Sequence, residues 1–75
     1  MPSLCDLRPG QRAVVLAVAG EAPLIQRLSE FGVFEGETLE LLAFAPMGDP
    51  LEIRVGETRL SLRLREAECV SVELL

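Results

Sequence analysis

His, Lys, Tyr and Trp are all missing from this chain, and each absence removes a class of chemistry. Without His there is no imidazole to act as a general base or to ligate a metal, and without Lys no amine can form a Schiff base. All seven basic residues are Arg. Carboxylates are the remaining candidates, but Glu35, Glu37, Glu66 and Glu68 all fall at turns or a helical break and read as solvated surface charge, so no catalytic residue is assigned. Aromatic side chains amount to three Phe, enough to fill a core and too few to build stacking platforms. A net charge of −5 opposes general attraction to phosphate backbones, because such affinity comes mainly from basic side chains that neutralise phosphates. Nucleic acid is excluded as the expected partner.

Cysteine is nearly absent as well. Cys5 and Cys69 lie near opposite ends of the chain, with no second Cys or His spaced to complete a zinc motif. They read as plain reduced thiols; if the termini meet, a disulfide, or a metal shared with carboxylates or a second chain, stays open. No cofactor and no metal ligand set is assigned. The sequence also lacks GxGxxG and GxxxxGK[ST], so nucleotide binding has no support. No apolar run reaches the length of about 20 residues that spans a bilayer, and Met1 is followed closely by Asp6 and Arg8 without a signal-peptide pattern. The expectation is a soluble, cytoplasmic protein that does not insert in a membrane.

What is present is apolar: 49% of the residues, dominated by Leu, Val and Ala. With 75 residues the chain suits one domain spanning 1–75. At this size ordering entropy of about 1.5 kcal/mol per residue nearly cancels the gain from burial. Marginal stability follows, or support from a partner, a weak homo-oligomer included.

Only Leu24–Gly36 reads as helix followed by a rigid connector. Leu24, Ile25, Leu28 and Phe31 share one helical face, which predicts a buried stripe. Pro23 suits the first turn, and Gly32 can take the left-handed conformation that ends a helix, folding Val33 back on Leu28. Gly36 then fits the positive-φ position of a type II turn over residues 34–37. Pro9-Gly10 fits the centre of an earlier type II turn, and a strand follows each turn. Arg12–Val18 is nearly continuous in apolar character, which predicts a strand covered on both sides. The second strand runs over Glu37–Ala45. The recurrence of turn then strand reads as reused turn chemistry, too little for a repeat architecture.

Pro46–Pro50 is a cluster of turn formers and predicts an exposed loop. Leu51, Ile53 and Val55 alternate on one strand and Leu60, Leu62 and Leu64 on the next, with Gly56-Glu57 as a two-residue type II′ turn. That turn sets Ile53 opposite Leu60 and Leu51 opposite Leu62, so both apolar faces coincide. Residues 65–68 suggest a single helical turn, and Val70 and Val72 a last strand. About five short strands and one short helix predict a mostly β fold, a small SH3-like barrel whose closure removes most exposed edges.

Two surfaces are candidates for partner binding. Arg54, Arg59 and Arg63 project from the outer face of the hairpin with Glu52 among them, a local basic patch with most acids expected elsewhere. This is either a solvated sheet face or a docking surface for an acidic segment; Arg54 directly opposite Arg59 is unfavourable unless an acid neutralises the pair. The second is a groove between the helical connector and the Pro46–Pro50 loop, where Phe34 and Met47 have no place in the alternating pattern. Aromatic and Met side chains suit contact surfaces.

Taken in order, these motifs resemble the FeoA family of small proteins of bacterial ferrous-iron uptake, over essentially the whole chain. Leu7, Pro9 and Gly10 carry the likeness in the opening turn, then Arg27-Leu28, Phe31-Gly32 and Gly36. Pro46-Met47-Gly48-Asp49-Pro50 is similar to the family's P-x-G-D-P turn, and Leu60, Leu62-Arg63 and Glu66-Ala67 resemble its final hairpin and helical turn. The chain departs at Phe31, where the family commonly has Met, and at Glu35, where it commonly has Pro. The resemblance implies an SH3-like barrel and association with the cytoplasmic part of the ferrous-iron transporter FeoB, as an accessory or regulatory factor. Alternatives are a stand-alone regulatory domain related to the C-terminal domain of metal-dependent repressors, and an iron-binding metallochaperone.

Overall fold

The computed structural model describes residues 1–75. A short 3-10 turn at Leu4–Asp6 precedes strand β1 (Arg12–Val18), helix α1 (Ala22–Glu30), strands β2 (Thr38–Phe44), β3 (Leu51–Val55) and β4 (Thr58–Leu62), the one-turn helix α2 (Leu64–Ala67) and strand β5 (Val70–Leu74). The strands form one antiparallel sheet in the order β4-β3-β2-β1-β5. It curls around a core made only of apolar side chains; no polar or charged residue is buried.

The turn predictions hold in detail. Gly10 and Gly36 have φ of 92° and 94°, and the i→i+3 bonds Gln11 N–H to Arg8 O and Glu37 N–H to Phe34 O close both turns. At the end of α1 the N–H of Val33 bonds to Leu28 O and that of Gly32 to Ser29 O, the Schellman arrangement, with Gly32 at φ 95°. Ile53 pairs with Leu60 and Leu51 with Leu62, as the two-residue turn requires.

The continuous apolar runs have a different cause from the one predicted. β1 is not covered on both sides: Ala13 and Val15 are buried, whereas Val14, Leu16 and Val18 are only half-buried. Its register against β5 shifts between Val15 and Ala17, so the inward face passes from Ala13 and Val15 to Val18, which pairs with buried Val70. β2 does the same: its register against β3 shifts between Leu41 and Ala43, and the inward positions are Leu39, Leu41 and then Phe44. Such bulges bend the strand and increase local twist, which lets a short sheet curl on itself.

The two bulges are equivalent. Gly10 and Gly36, Ala13 and Leu39, and Val15 and Leu41 each lie 26 positions apart (36 − 10, 39 − 13, 41 − 15). Gly10 N–H bonds to Leu41 O as Gly36 N–H bonds to Val15 O, and Leu41 N–H bonds to Gln11 O as Val15 N–H bonds to Glu37 O. Ala13 pairs with its own equivalent, Leu39. The recurring turn and strand are therefore halves of a local pseudo-two-fold arrangement, more than the shared turn chemistry expected from sequence. β5 flanks β1 as β3 flanks β2, with Val72 in the place of Ile53. The outer edge of β5 is covered by Pro2–Ser3, through a Ser3–Ser71 bridge and the bond from Val72 N–H to Pro2 O.

Candidate functional site

Helix α1 packs on the core through one face, and only Leu28 of its predicted stripe is buried. Leu24 is half-buried against the core, while Ile25 and Phe31 are 37% and 46% exposed. The reason is the width of contact available: a nine-residue helix meets a small barrel along a single line, and side chains flanking that line stay in water. Ile25 flanks it on the β1 side, where a cleft of about 310 Å³ opens between α1 and β1. Ala17, Val18, Ile25, Val33 and Phe34 form its apolar walls, with Ser29 and Glu35 as polar members. Phe34 is 43% exposed there. Gly32 and the following turn position it, so the connector read from sequence becomes one wall of this cleft.

The predicted groove joining Phe34 to Met47 does not form. The two residues lie beyond opposite ends of β2, and Met47, 93% exposed, sits at the tip of the Pro46–Pro50 loop without lining a cleft. Asp49 holds that loop instead. Its Oδ1 accepts the Leu64 N–H at 3.1 Å, supplying a partner to the first residue of α2. Sequence reading placed Asp49 in a turn; its partner, fifteen positions on, only the fold brings near.

The arginine patch also differs from expectation. Arg54 and Arg59 are opposed in register, as predicted, but acids accompany them. Arg54 bonds Glu40 of β2 at 2.7 Å, Arg59 reaches Glu52 diagonally at 3.2 Å, and Arg63 lies 3.9 Å from Asp49. Beside this face an open cleft of about 870 Å³ carries Arg12, Arg54 and Arg59 together with Glu37, Glu40 and Glu57. Glu52 was expected among these arginines; Glu40 and Asp49 are the acids that the fold adds, and they make the face a mixed-charge surface where a local basic patch was expected.

Neither cysteine forms a disulfide. The Cys5 thiol donates to Leu64 O at 3.3 Å and the Cys69 thiol to Arg65 O at 3.6 Å, so both lean on α2. Burial pushes the Cys5 thiol up, aided by the nearby charges of Glu68, Asp6 and Asp49 and opposed by a hydrogen bond from Ser3. A raised thiol is a poor nucleophile and a poor metal ligand at neutral pH. No group of three or more Cys, Asp and Glu side chains converges on a position that could hold a metal ion.

Glu66 joins α2 to α1. Its Oε1 accepts the Arg63 N–H at 2.9 Å and its Oε2 pairs with Arg27 of α1. The bond from the Arg63 N–H is the main reason its carboxyl is held below the usual carboxylate range; partial burial opposes this, and Arg27 adds to it. A depressed carboxyl contributes stability above its ordinary pKa and loses it as pH falls through the folded value. Glu66→Ala is expected to cost about 1 kcal/mol at pH 7, the usual worth of a capping group, with little from the exposed ion pair. In urea unfolding followed by circular dichroism, the gap between wild type and Glu66→Gln should close as pH falls below the usual carboxylate range.

A five-stranded, mostly β barrel of SH3-like form, with one helix packed on its core and an apolar cleft beside that helix, defines a small SH3-like domain. The FeoA domain profile matches residues 3–74, and the chain belongs to the FeoA family, associated with ferrous-iron transport. It is 39% identical to a Chlorobium tepidum FeoA protein solved by NMR, with a TM-score of 0.94 over 99% of this chain and 70% of that one. A Stenotrophomonas maltophilia FeoA, solved with zinc and described as an SH3-domain protein, is 35% identical, with a TM-score of 0.84 over 97% and 91% of the two chains. A Porphyromonas gingivalis protein that fuses Fe(2+) transport protein A to the transporter FeoB is 33% identical over 72 residues, 96% of this chain. The chain spans only 8% of that fusion's length. Manganese-dependent transcriptional repressors share the fold at 16% identity and a TM-score of 0.88.

Proposed function

We propose that the protein is a non-enzymatic accessory factor of ferrous-iron uptake that works in the cytoplasm by binding the cytoplasmic part of a FeoB-type transporter. The observation that carries this reading is the fusion relative, in which a segment similar to this whole chain is covalently part of the transporter polypeptide. Tethering keeps a module at high effective concentration beside its target. A free module must reach the same neighbour through surface affinity. The α1–β1 cleft supplies a suitable surface: Ile25 and Phe34 are large, apolar and partly in water, and apolar pockets of this kind anchor interfaces. The repressor likeness extends to the fold alone.

Calorimetric titration of the protein with the purified cytoplasmic part of the transporter tests the proposal. Binding is expected, and the double variant Ile25→Asp/Phe34→Ser should weaken it by about ten-fold or more, equivalent to 1.4 kcal/mol, while thermal unfolding changes little. Met47→Ser should leave binding unchanged. Failure of the unmodified protein to bind would overturn the proposal.

A further inference from the structure

The two ends of the sheet are finished differently. At one end Pro2–Ser3 covers β5; at the other, β4 is the last strand and nothing pairs with its outer side. In a hairpin with a two-residue turn the flanking pair, Val55 and Thr58, exchanges hydrogen bonds, and the bonded pairs then alternate with unbonded ones. Ile53–Leu60 and Leu51–Leu62 are bonded pairs, so the backbone N–H and C=O of Arg59 and Ser61 point away from β3. No turn, loop or side-chain hydrogen bond takes them up. The pseudo-two-fold sharpens the contrast: Pro2–Ser3 occupies on β5 the place that Leu60–Ser61 occupies on β3, and nothing stands beyond β4.

We infer that β4 is an acceptor edge that adds one extended segment of a protein partner, in which acidic residues alternate with apolar ones. The inference rests on the reading that the protein acts by binding a protein partner. Three features set the chemistry of the segment. Across the outer face of the sheet the side chains run Glu40, Arg54, Arg59, with Arg54 engaged by Glu40 and Arg59 left against the like-charged Arg54. Arg59 is 64% exposed and reaches only diagonally to Glu52. An acid directly opposite Arg59 completes the row with alternating relief of charge. Two residues on, Ser61 is small and exposed, and beyond it Arg63 stays extended (φ −66°, ψ 149°) with its side chain 61% exposed and held only by a long 3.9 Å pairing with Asp49, so a partner's acid competes for it. On the inner face Leu60 is only half-buried, and an apolar residue between the two acids covers it.

The same features disfavour a second copy of this chain paired about the outward-facing Ser61. Antiparallel pairing of β4 with itself about Ser61 sets Arg59 against Arg63 of the other copy, twice. Strand addition gives affinity through main-chain bonds and selectivity through alternate side chains, which fits an edge with few side chains and strong charge preference.

The probe is a short synthetic peptide with Glu at alternate positions and Val between, titrated into the isotopically labelled protein. The expected result is slowed hydrogen exchange at the Arg59 and Ser61 amides, and affinity lowered about ten-fold or more when Lys replaces Glu in the peptide. Arg59→Glu should reverse that preference. Ser61→Pro removes an outward N–H at an edge, where Pro is tolerated, and should abolish binding. If that variant does not fold, methylating the peptide's backbone nitrogens on the bonded side tests the same bonds and should abolish binding in turn. Shifts confined to the α1–β1 cleft, equal binding of the Glu and Lys peptides, or no binding would overturn the inference. A transporter fragment that binds without protecting the β4 amides would overturn this inference and leave the proposed function standing. A peptide that binds β4 while the transporter fragment does not bind would do the reverse.

Discussion

Leu28→Ala should destabilise the protein by about 3 kcal/mol, the usual cost of cutting a fully buried Leu to Ala. Leu28 is the only residue of α1 that is completely buried, so it is the main apolar anchor of the helix, with Leu24 half-buried beside it. A chain of 75 residues has a total stability of about 4–11 kcal/mol at 0.05–0.15 kcal/mol per residue, so one substitution removes a large part of it. With no Trp or Tyr to report by fluorescence, urea unfolding is followed by far-ultraviolet circular dichroism. The midpoint should fall with the slope unchanged, as for a cavity in an intact fold. Ile25→Ala, three positions away in the same predicted stripe, should cost less than about 1 kcal/mol because Ile25 already stands partly in water. Equal losses at the two positions would contradict the packing of α1. The same pair separates stability from binding: Leu28 is buried in the core and does not line the cleft, whereas Ile25 is part of its wall.

Gly32→Val is the second large effect, expected at about 3 kcal/mol from two sources. A side chain at φ 95° carries the left-handed penalty of about 1–2 kcal/mol, and overfilling a packed contact adds about 1–3 kcal/mol. The contact is specific: a Cβ at Gly32 would stand 3.3 Å from Cγ1 of Val55 on β3. Gly10 and Gly36 supply the control, since their φ values of 92° and 94° match and an added Cβ at either meets nothing within 4 Å. Gly10→Ala and Gly36→Ala should therefore cost the same and report the backbone alone, whereas Gly32→Ala should exceed them by the crowding of Val55. In a Val55→Ala background that excess should disappear, a coupling that a double-mutant cycle reads directly. If all three glycine variants cost the same in either background, the cap of α1 does not press on the hairpin.

Local chemistry carried far in this chain. The hairpin register, the glycine turns before β1 and β2, the Schellman end of α1 and the one-turn helix before β5 were all legible, because each depends on residues within a few positions of one another. The apolar runs were not. Val14-Val15-Leu16 read as part of a strand covered on both faces, when the strand contains a bulge that moves the inward face by one residue; Leu41-Leu42 in β2 holds an equivalent bulge. Hydropathy cannot tell a two-sided strand from a one-sided strand with an inserted residue, since both place apolar side chains next to one another.

The candidate surfaces divide in the same way. Phe34 was identified because it fell outside a pattern, and it lines a cleft; Met47 was identified by the same rule and lines none. Arg54 and Arg59 were placed correctly on one face, but Glu40, the acid that engages Arg54, belongs to a strand fourteen positions away. The sequence by itself determined where the chain turns, which residues alternate in the hairpin, and that no imidazole or amine is available. Only the tertiary structure decided which apolar side chains stay in water, which charges meet, and which strand is left as an open edge. Those properties belong to the order β4-β3-β2-β1-β5 and to the packing of α1 on the core through Leu28, and short-range periodicity contains neither.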